Sequence, residues 1–207
     1  MSLRVWDERV LPRLTDRSMR APELDGLRAA TCAGLTGRVL EIGFGSGLNV
    51  RWYPPEATSV TAIEPSDVAW ELSAPRRALS DVTVDRAGRD GQHLDLPDAS
   101  HDGALVTFSL CTVPDPVRAL QEARRVVRDG GRLHAVEHGL APEESVRRWQ
   151  HRMEPVQRAI FGGCRLTRDV PAVLASAGWR VEDREQDYLP GPALARPWTY
   201  VHRLVAV

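Results

Sequence analysis

At 207 residues the chain has room for one domain with a substantial core and is short for two, and its formal net charge of −1 gives no general attraction to nucleic acid or to an anionic membrane surface. The longest apolar stretch, about Ala104 to Leu110, falls far below the roughly 18 residues of a membrane span, and no signal-peptide pattern opens the chain, so a cytoplasmic protein with no membrane span is expected. The basic residues are all arginine, which is compositional bias rather than chemistry.

In chain order, Trp6, Val10, Leu11 and Leu14 recur at helical intervals around Pro12, predicting a helix that packs on the domain and could cover one end of a pocket. A second helix is expected from Pro22 to Ala33, with proline at its first turn and Gly34 near its end. The apolar run Val39 to Ile42 then reads as a buried strand that breaks into Gly43, Gly45 and Gly47, with a short helix from Leu48 to Tyr53 stopped by Pro54-Pro55. Glycines are needed where the backbone takes positive φ and must approach a ligand that a Cβ would exclude.

Two features of this turn argue against a pyrophosphate. A dinucleotide fingerprint is G-x-G-x-x-G, and Leu48 stands where its third glycine would fall. Glu41 at the strand end would repel a phosphate but attract a cation, by about 4 kcal/mol at 4 Å for an effective dielectric of about 20. S-adenosylmethionine carries both an ammonium and a sulfonium. It also needs a ribose partner, and Glu64 at the end of the next apolar run, Val60 to Ile63, is placed to accept from the two hydroxyls.

Further along, Pro65-Ser66-Asp67 supplies a helix start, with Pro75 dividing or ending that helix. A third strand is expected from Val82 to Ala87, followed by Arg89-Asp90-Gly91, where a carboxylate can accept the amine of adenine beside an uncrowded N–H. Ala104 to Ser109 is a fully buried strand by its continuous apolarity. Asp115-Pro116 opens a helix closed by Asp129-Gly130-Gly131, and Arg132 to His138 is a fifth strand. Strands alternating with helices at this spacing mean an α/β, doubly wound, mostly parallel sheet. Trp149, Met153, Val156 and Ile160 then form an apolar stripe on an added helix from Glu143 to Phe161, expected to act as a lid. Thr167 is a candidate cap for a helix from Arg168 to Ala177, and Trp179 to Val181 and Thr199 to Val207 read as two last strands, the final one antiparallel at or near the edge. Cys32, Cys111 and Cys164 are too few and too scattered for a disulfide framework, and no C-x-x-C pair suggests zinc, so reduced thiols and no metal are expected.

With these motifs in place, the chain resembles the class I S-adenosylmethionine-dependent methyltransferases. Arg38 to Gly139, with Asp90-Gly91, Leu94, Pro97-Asp98 and Ser100-His101-Asp102, is similar to the domain shared by the ubiquinone and menaquinone methyltransferases. The resemblance implies a seven-stranded Rossmann-like sheet. In it, Glu41 and the three glycines hold the methionine end, with Asn49 beside them. Glu64 and Pro65 hold the ribose, Asp90 and Gly91 the adenine, and Ser109 and Leu110 line the wall near the amino acid moiety.

A narrower likeness runs through Tyr53-Pro-Pro55, Leu110-Cys-Thr-Val113, Glu137-His138, Gly163-Cys164-Arg165-Leu166-Thr167-Arg168, Arg196-Pro197 and Tyr200. Together these resemble the methyltransferase-like alkyl-thiol methyltransferases, whose animal members carry an N-terminal membrane segment that this chain is expected to lack.

The organisation expected is a single domain over 1–207: N-terminal helices over 1–37, a cofactor-binding core over 38–139, a lid over 140–168, and a C-terminal helix and strands over 169–207. The reaction expected is methyl transfer to a small, largely apolar acceptor such as a thiol. Its pocket would be walled by Leu110, Cys111, Trp149, Phe161, Tyr188, Trp198 and Tyr200, with His138 the candidate for taking a proton. Alternatives are N-, O- or C-methylation of a quinone or amine, a non-catalytic cofactor-binding module, and a nicotinamide-dependent reductase. The last usually needs a Tyr/Lys pair, and the chain has no lysine.

Overall fold

The computed structural model describes residues 5–207, so the first four residues of the expected N-terminal helix lie outside the described residues. Seven strands form one sheet: β1 (Gly37–Ile42), β2 (Ala57–Ile63), β3 (Thr83–Gly88), β4 (His101–Thr107), β5 (Val127–His138), β6 (Val181–Tyr188) and β7 (Tyr200–Ala206). Their order is β3-β2-β1-β4-β5-β7-β6. β1 to β5 pair in parallel, whereas β7 runs antiparallel between β5 and β6. The order reverses direction between β1 and β4, and in such sheets the crevice beyond the carboxyl ends at that point is where ligands bind.

Strand alternation sends successive side chains to opposite faces, and both faces here are covered. Leu40, Ile42, Ala104, Val106 and Leu133 pack with Leu120, Ala123 and Leu174 of helices Pro116–Val126 and Val170–Ser176. Val39, Val60 and Leu105 pack on the other face with Leu35 and Cys32, the latter at the end of helix Asp25–Cys32. Trp179, 2% exposed, fills the first cluster and donates from Nε1 to the Leu120 carbonyl at 2.9 Å.

Several boundaries differ from the sequence reading. The stretch after the glycine turn is a single 3-10 turn, Val50–Trp52, because Pro54-Pro55 leaves too few residues to close an α-helix. Asp129-Gly130-Gly131 lies inside β5, where the pairing with β4 shifts register between His101 and Gly103. Asp169, not Thr167, caps Val170–Ser176 by accepting from the Ala172 N–H; Thr167 instead donates from both its N–H and its hydroxyl to Glu154. Trp179 precedes the sixth strand, which starts at Val181, and β7 is one strand in from the edge. Ser66 and Asp115 cap their helices as expected, accepting from Ala69 and Arg118, and the helix divides at Ser73 into Asp67–Leu72 and Ala74–Arg77, with Pro75 in the first turn of the second piece. Among the described residues no helix is long and apolar enough to cross a membrane.

Candidate active site

β1 ends at Ile42, and the backbone turns through Gly43, Gly45 and Gly47 at φ +75, +60 and +74. Two of these glycines have distinct reasons. A Cβ on Gly43 would fall 2.0 Å from Ser109 Oγ, so this glycine lets the β4 loop lie against the turn. A Cβ on Gly45 would meet nothing closer than 3.9 Å, so its open side is left to a cavity of about 970 Å³ that the turn borders. The turn is clamped from outside: Arg76 donates to the Ser46 carbonyl at 2.6 Å and to Asp16 of helix Leu11–Ser18 at 3.0 Å.

Glu41 does not stand at the mouth of this cavity. Alternation along β1 gives Ile42 to the cavity and turns Glu41 inward, where it is fully buried and accepts from Asn49 Nδ2 at 2.8 Å and from the Tyr53 hydroxyl. Burial pushes its carboxyl up to about 7, against the hydrogen bonds from Tyr53 and Asn49 and the charge of Arg28. Asn49 also donates to Thr107 Oγ1 at 2.9 Å, and its Oδ1 accepts from Arg28 Nη1 at 2.7 Å. Arg28, buried on helix Asp25–Cys32, itself lines the cavity with its Nε unpartnered. A lone arginine within an amphipathic helix gave no sequence signal. The guanidinium lies 5.4 Å from the ring of Phe108, a cavity residue held at φ +51 immediately after β4. Such backbone strain in a non-glycine residue commonly marks a functional position.

At the end of β2, Glu64 is 5% exposed and reaches the cavity with Pro65. Its two oxygens accept from the Gly45 N–H at 2.6 Å and the Ser66 N–H at 2.8 Å, and burial raises its pKa despite those bonds. Asp90 and Gly91 follow β3 and line the same cavity. Asp90 Oδ1 accepts from the side chain and backbone N–H of Gln92, both at 2.9 Å, which holds its carboxyl below the usual range.

Ser109 and Cys111 line the cavity beyond β4, whereas Leu110 is fully buried in the main core and does not. The N–H groups of Ser109 and Leu110 both donate to Glu137 Oε1, at 2.6 and 2.9 Å, so this acid of β5 fixes the loop. Glu137 is fully buried, with its other oxygen unpartnered, and burial pushes it up to about 7. His138, next in β5, lines the cavity with Nε2 3.2 Å from Cys164 Sγ. Cys111, His138 and Cys164 offer donor atoms that all lie within 4.8 Å of one another. The hydrogen bond from Cys111 and the contact with His138 draw the Cys164 thiol well down, while that same bond and burial push Cys111 up. Burial opposes a charge on His138, but its bond to Cys164 prevails and raises its pKa.

Helix Glu144–Ile160 contributes Met153, Val156 and Gln157 to the far wall, joined by Phe161 and Trp198, with Leu11, Pro12 and Met19 from the N-terminal segment. Trp6 Nε1 donates to the Ile160 carbonyl at 2.7 Å, tying that segment to the helix end. Three aromatics expected on the pocket lie elsewhere. Trp149 is 54% exposed on the outer side of the helix, beside Arg152. Tyr188 meets the Tyr200 ring at a tilt, with centroids 5.0 Å apart, and donates to Glu143, and Tyr200 packs with Ala141 and Val146. Gly47 likewise faces away, packed near Ser73 and Phe44. His101 donates to or accepts from Thr61 Oγ1 at 2.8 Å, as packing at the strand entrance requires.

A parallel sheet with an antiparallel seventh strand inserted before the sixth, a glycine turn after β1 and a buried acid ending β2 define the nucleoside-binding methyltransferase class. The fold and the matches that follow are those of the class I S-adenosylmethionine-dependent methyltransferases, and the cofactor that this likeness implies is S-adenosylmethionine. Residues 40–135 match the family model described as a methyltransferase domain. The thiol S-methyltransferase TMT1B of Homo sapiens is 36% identical over 144 residues, covering 66% of this chain and 58% of that protein. A demethylmenaquinone methyltransferase of Clavibacter sepedonicus is 30% identical over 111 residues, 54% of this chain and 45% of that protein. The matches thus span about half of the curated relatives' own length. A solved methyltransferase from Thermotoga maritima superposes with a TM-score of 0.68 at 23% identity, covering 94% of both chains. One from Mesorhizobium loti gives 0.67 at 18% identity, covering 91% of this chain and 99% of that one; at such identities the likeness establishes the fold.

Proposed function

We propose that this chain transfers a methyl group from S-adenosylmethionine to a small, largely apolar acceptor, with a thiol as the favoured class. The observation that carries the reading is one continuous cavity of about 970 Å³ whose glycine-turn end is polar and whose far end is walled by Met153, Val156, Phe161 and Trp198. The cofactor supplies a methyl group activated by its sulfonium. The residues present fit it: the open side of Gly45 admits a ligand against the backbone, and Glu64 reaches the same wall with two acceptor oxygens suited to ribose hydroxyls. Asp90 and Gly91 flank the adenine position. Arg28, a buried cation with an unused Nε–H, suits the methionine carboxylate, a role the sequence did not suggest. Glu41 and Asn49 then act at one remove by holding the turn.

Displacement at a sulfonium needs alignment first, and holding two reactants in attack geometry supplies on the order of 7–11 kcal/mol. A thiol of pKa about 8.5 is already a few per cent ionised near neutral pH, so no dedicated base is obligatory. Helix Glu144–Ile160 serves as the lid that excludes water from the apolar end. The thiol class is supported by the human relatives TMT1B and TMT1A, which are thiol S-methyltransferases. The test is methyl transfer from isotopically labelled cofactor to matched alkyl thiols, amines and phenols. Labelled thioether is the expected product; label in amine or phenol alone would reassign the acceptor, and no calorimetric heat with millimolar cofactor would remove the reading.

A further inference from the structure

The sequence separates Cys111, His138 and Cys164 by 26 or more positions, yet the β4 loop, the end of β5 and the loop after helix Glu144–Ile160 bring them to one patch of the cavity wall. Both cysteines are buried, at 4% and 6% exposure, and neither has a disulfide partner. Two thiols and an imidazole, a set that suits Zn²⁺, are not explained by packing alone. In a tetrahedral site with metal–sulfur bonds of about 2.3 Å and a metal–nitrogen bond of about 2.0 Å, sulfur and nitrogen sit ~3.5 Å apart and the two sulfurs ~3.8 Å. Here Cys164 Sγ and His138 Nε2 are 3.2 Å apart and all three donors fall within 4.8 Å, so adjustments of a few tenths of an ångström to about one would close the set on an ion.

The surroundings are organised around the same patch. Gln157 Nε2 reaches Cys164 Sγ at 3.6 Å, and its Oε1 is fixed by Trp198 Nε1 at 3.1 Å, the kind of outer support that ligating groups commonly have. Two neighbouring polar atoms, His138 Nδ1 and Glu137 Oε2, are buried without a partner, so protein atoms alone leave this region incompletely satisfied.

We propose that Cys111, His138 and Cys164 bind a zinc ion with three protein ligands and an open fourth position facing the cavity, where the acceptor thiol is held as a thiolate. Three-ligand sites of this kind are the catalytic rather than the structural form of zinc. An entering thiol R–SH loses its proton to solvent as its sulfur occupies the fourth position. A lone pair of that sulfur then forms the S–CH₃ bond while the bond from the methyl carbon to the donor sulfonium breaks, its electron pair remaining on the departing thioether sulfur. The product R–S–CH₃ is a neutral and weaker ligand, which favours its release. This deepens the thiol reading above and rests on it for the acceptor, while the metal site itself is independent of it.

The test loads full-length protein with Zn²⁺ or Co²⁺ in competition with a chromophoric chelator and follows S-adenosylmethionine binding by calorimetry in parallel. One equivalent of zinc is expected in the parent protein and in Cys32→Ala. At least tenfold weaker zinc binding is expected in Cys111→Ser and Cys164→Ser, with His138→Gln as a third variant should either serine variant fail to fold by circular dichroism. In the Co²⁺ form, thiolate-to-metal absorption should change when an alkyl thiol is added and stay unchanged with the matching alcohol. Retention of zinc no better than the chelator leaves, or equal retention in the cysteine variants, overturns the site. Unchanged Co²⁺ absorption on adding thiol overturns the open position. Cofactor binding without zinc would defeat this inference alone, whereas zinc binding without cofactor binding would defeat the methyltransferase reading and leave the metal site standing.

Discussion

Replacing Gly45 by alanine separates backbone cost from ligand contact. Gly45 sits at φ +60 with nothing within 3.9 Å of its would-be Cβ, and Gly130 at φ +76 has nothing within 4 Å. A side chain in the left-handed region costs about 1–2 kcal/mol at either position, so both alanine variants should lose that much stability in urea denaturation. They differ in what the methyl group faces, since Gly45 borders the cavity and Gly130 lies within β5 away from it. Overpacking against a close-fitting surface costs about 1–3 kcal/mol, so calorimetry with S-adenosylhomocysteine should show affinity about 5- to 150-fold weaker for Gly45→Ala and unchanged for Gly130→Ala. Equal affinity in the two variants would refute the assignment of the turn as the cofactor cradle, because the backbone effect is common to both.

Glu64→Ala removes both ribose acceptors and should weaken cofactor binding at least tenfold by calorimetry while the circular dichroism spectrum is kept. Arg28→Met should weaken binding of S-adenosylmethionine by about 10- to 150-fold, the worth of a charge-assisted hydrogen bond, and weaken a decarboxylated analogue much less. Val156→Asp on the cavity side of helix Glu144–Ile160 should raise KM for an apolar thiol and leave cofactor affinity unchanged. Glu41 is held at about 7 against an ordinary 4.5, so the folded chain binds this proton more tightly than the unfolded one; its contribution to stability is complete below about 4.5 and is lost as the pH rises through about 7. Glu41→Gln should flatten that part of the stability–pH curve, a difference on the order of 3 kcal/mol between the two ends.

The strand-and-helix frame was legible because its signals are local: continuous apolar runs for buried parallel strands, Ser66 and Asp115 as caps, and glycines where φ is positive. Glu64, Asp90 and Ser109 reach the cavity because strand ends in this topology point to one edge of the sheet. What the sequence hid depends on rotation about an element or on distant contact. Trp149 repeats in register with Met153 and Val156, yet the helix turns it to solvent while Gln150, a polar residue, is buried between the Gly139 and Pro197 carbonyls. Arg28 carried no motif, and Cys111 and Cys164 lie 53 positions apart, so only the fold shows that they meet.

The acid of the first strand illustrates how a motif can be recognised for one physical reason and used for another. A carboxylate beside a glycine turn invites the reading that it faces a cationic ligand, but Glu41 is fully buried and its oxygens are engaged by Asn49 and Tyr53. Both partners lie just past the turn, so the acid fastens the outgoing chain to the strand that entered it. Its proton affinity, raised by burial, makes the pair with the Tyr53 hydroxyl a hydrogen-bonded clamp more than a source of field in the cavity. Arg28, Glu64 and Asp90 are among the charged groups that line the cavity instead, one cation and two acids. That arrangement suits a ligand bearing a carboxylate at one end and hydroxyl and amine donors toward the other, which is the chemical layout of S-adenosylmethionine, and it reaches the same cofactor by a different route from the one the turn suggested.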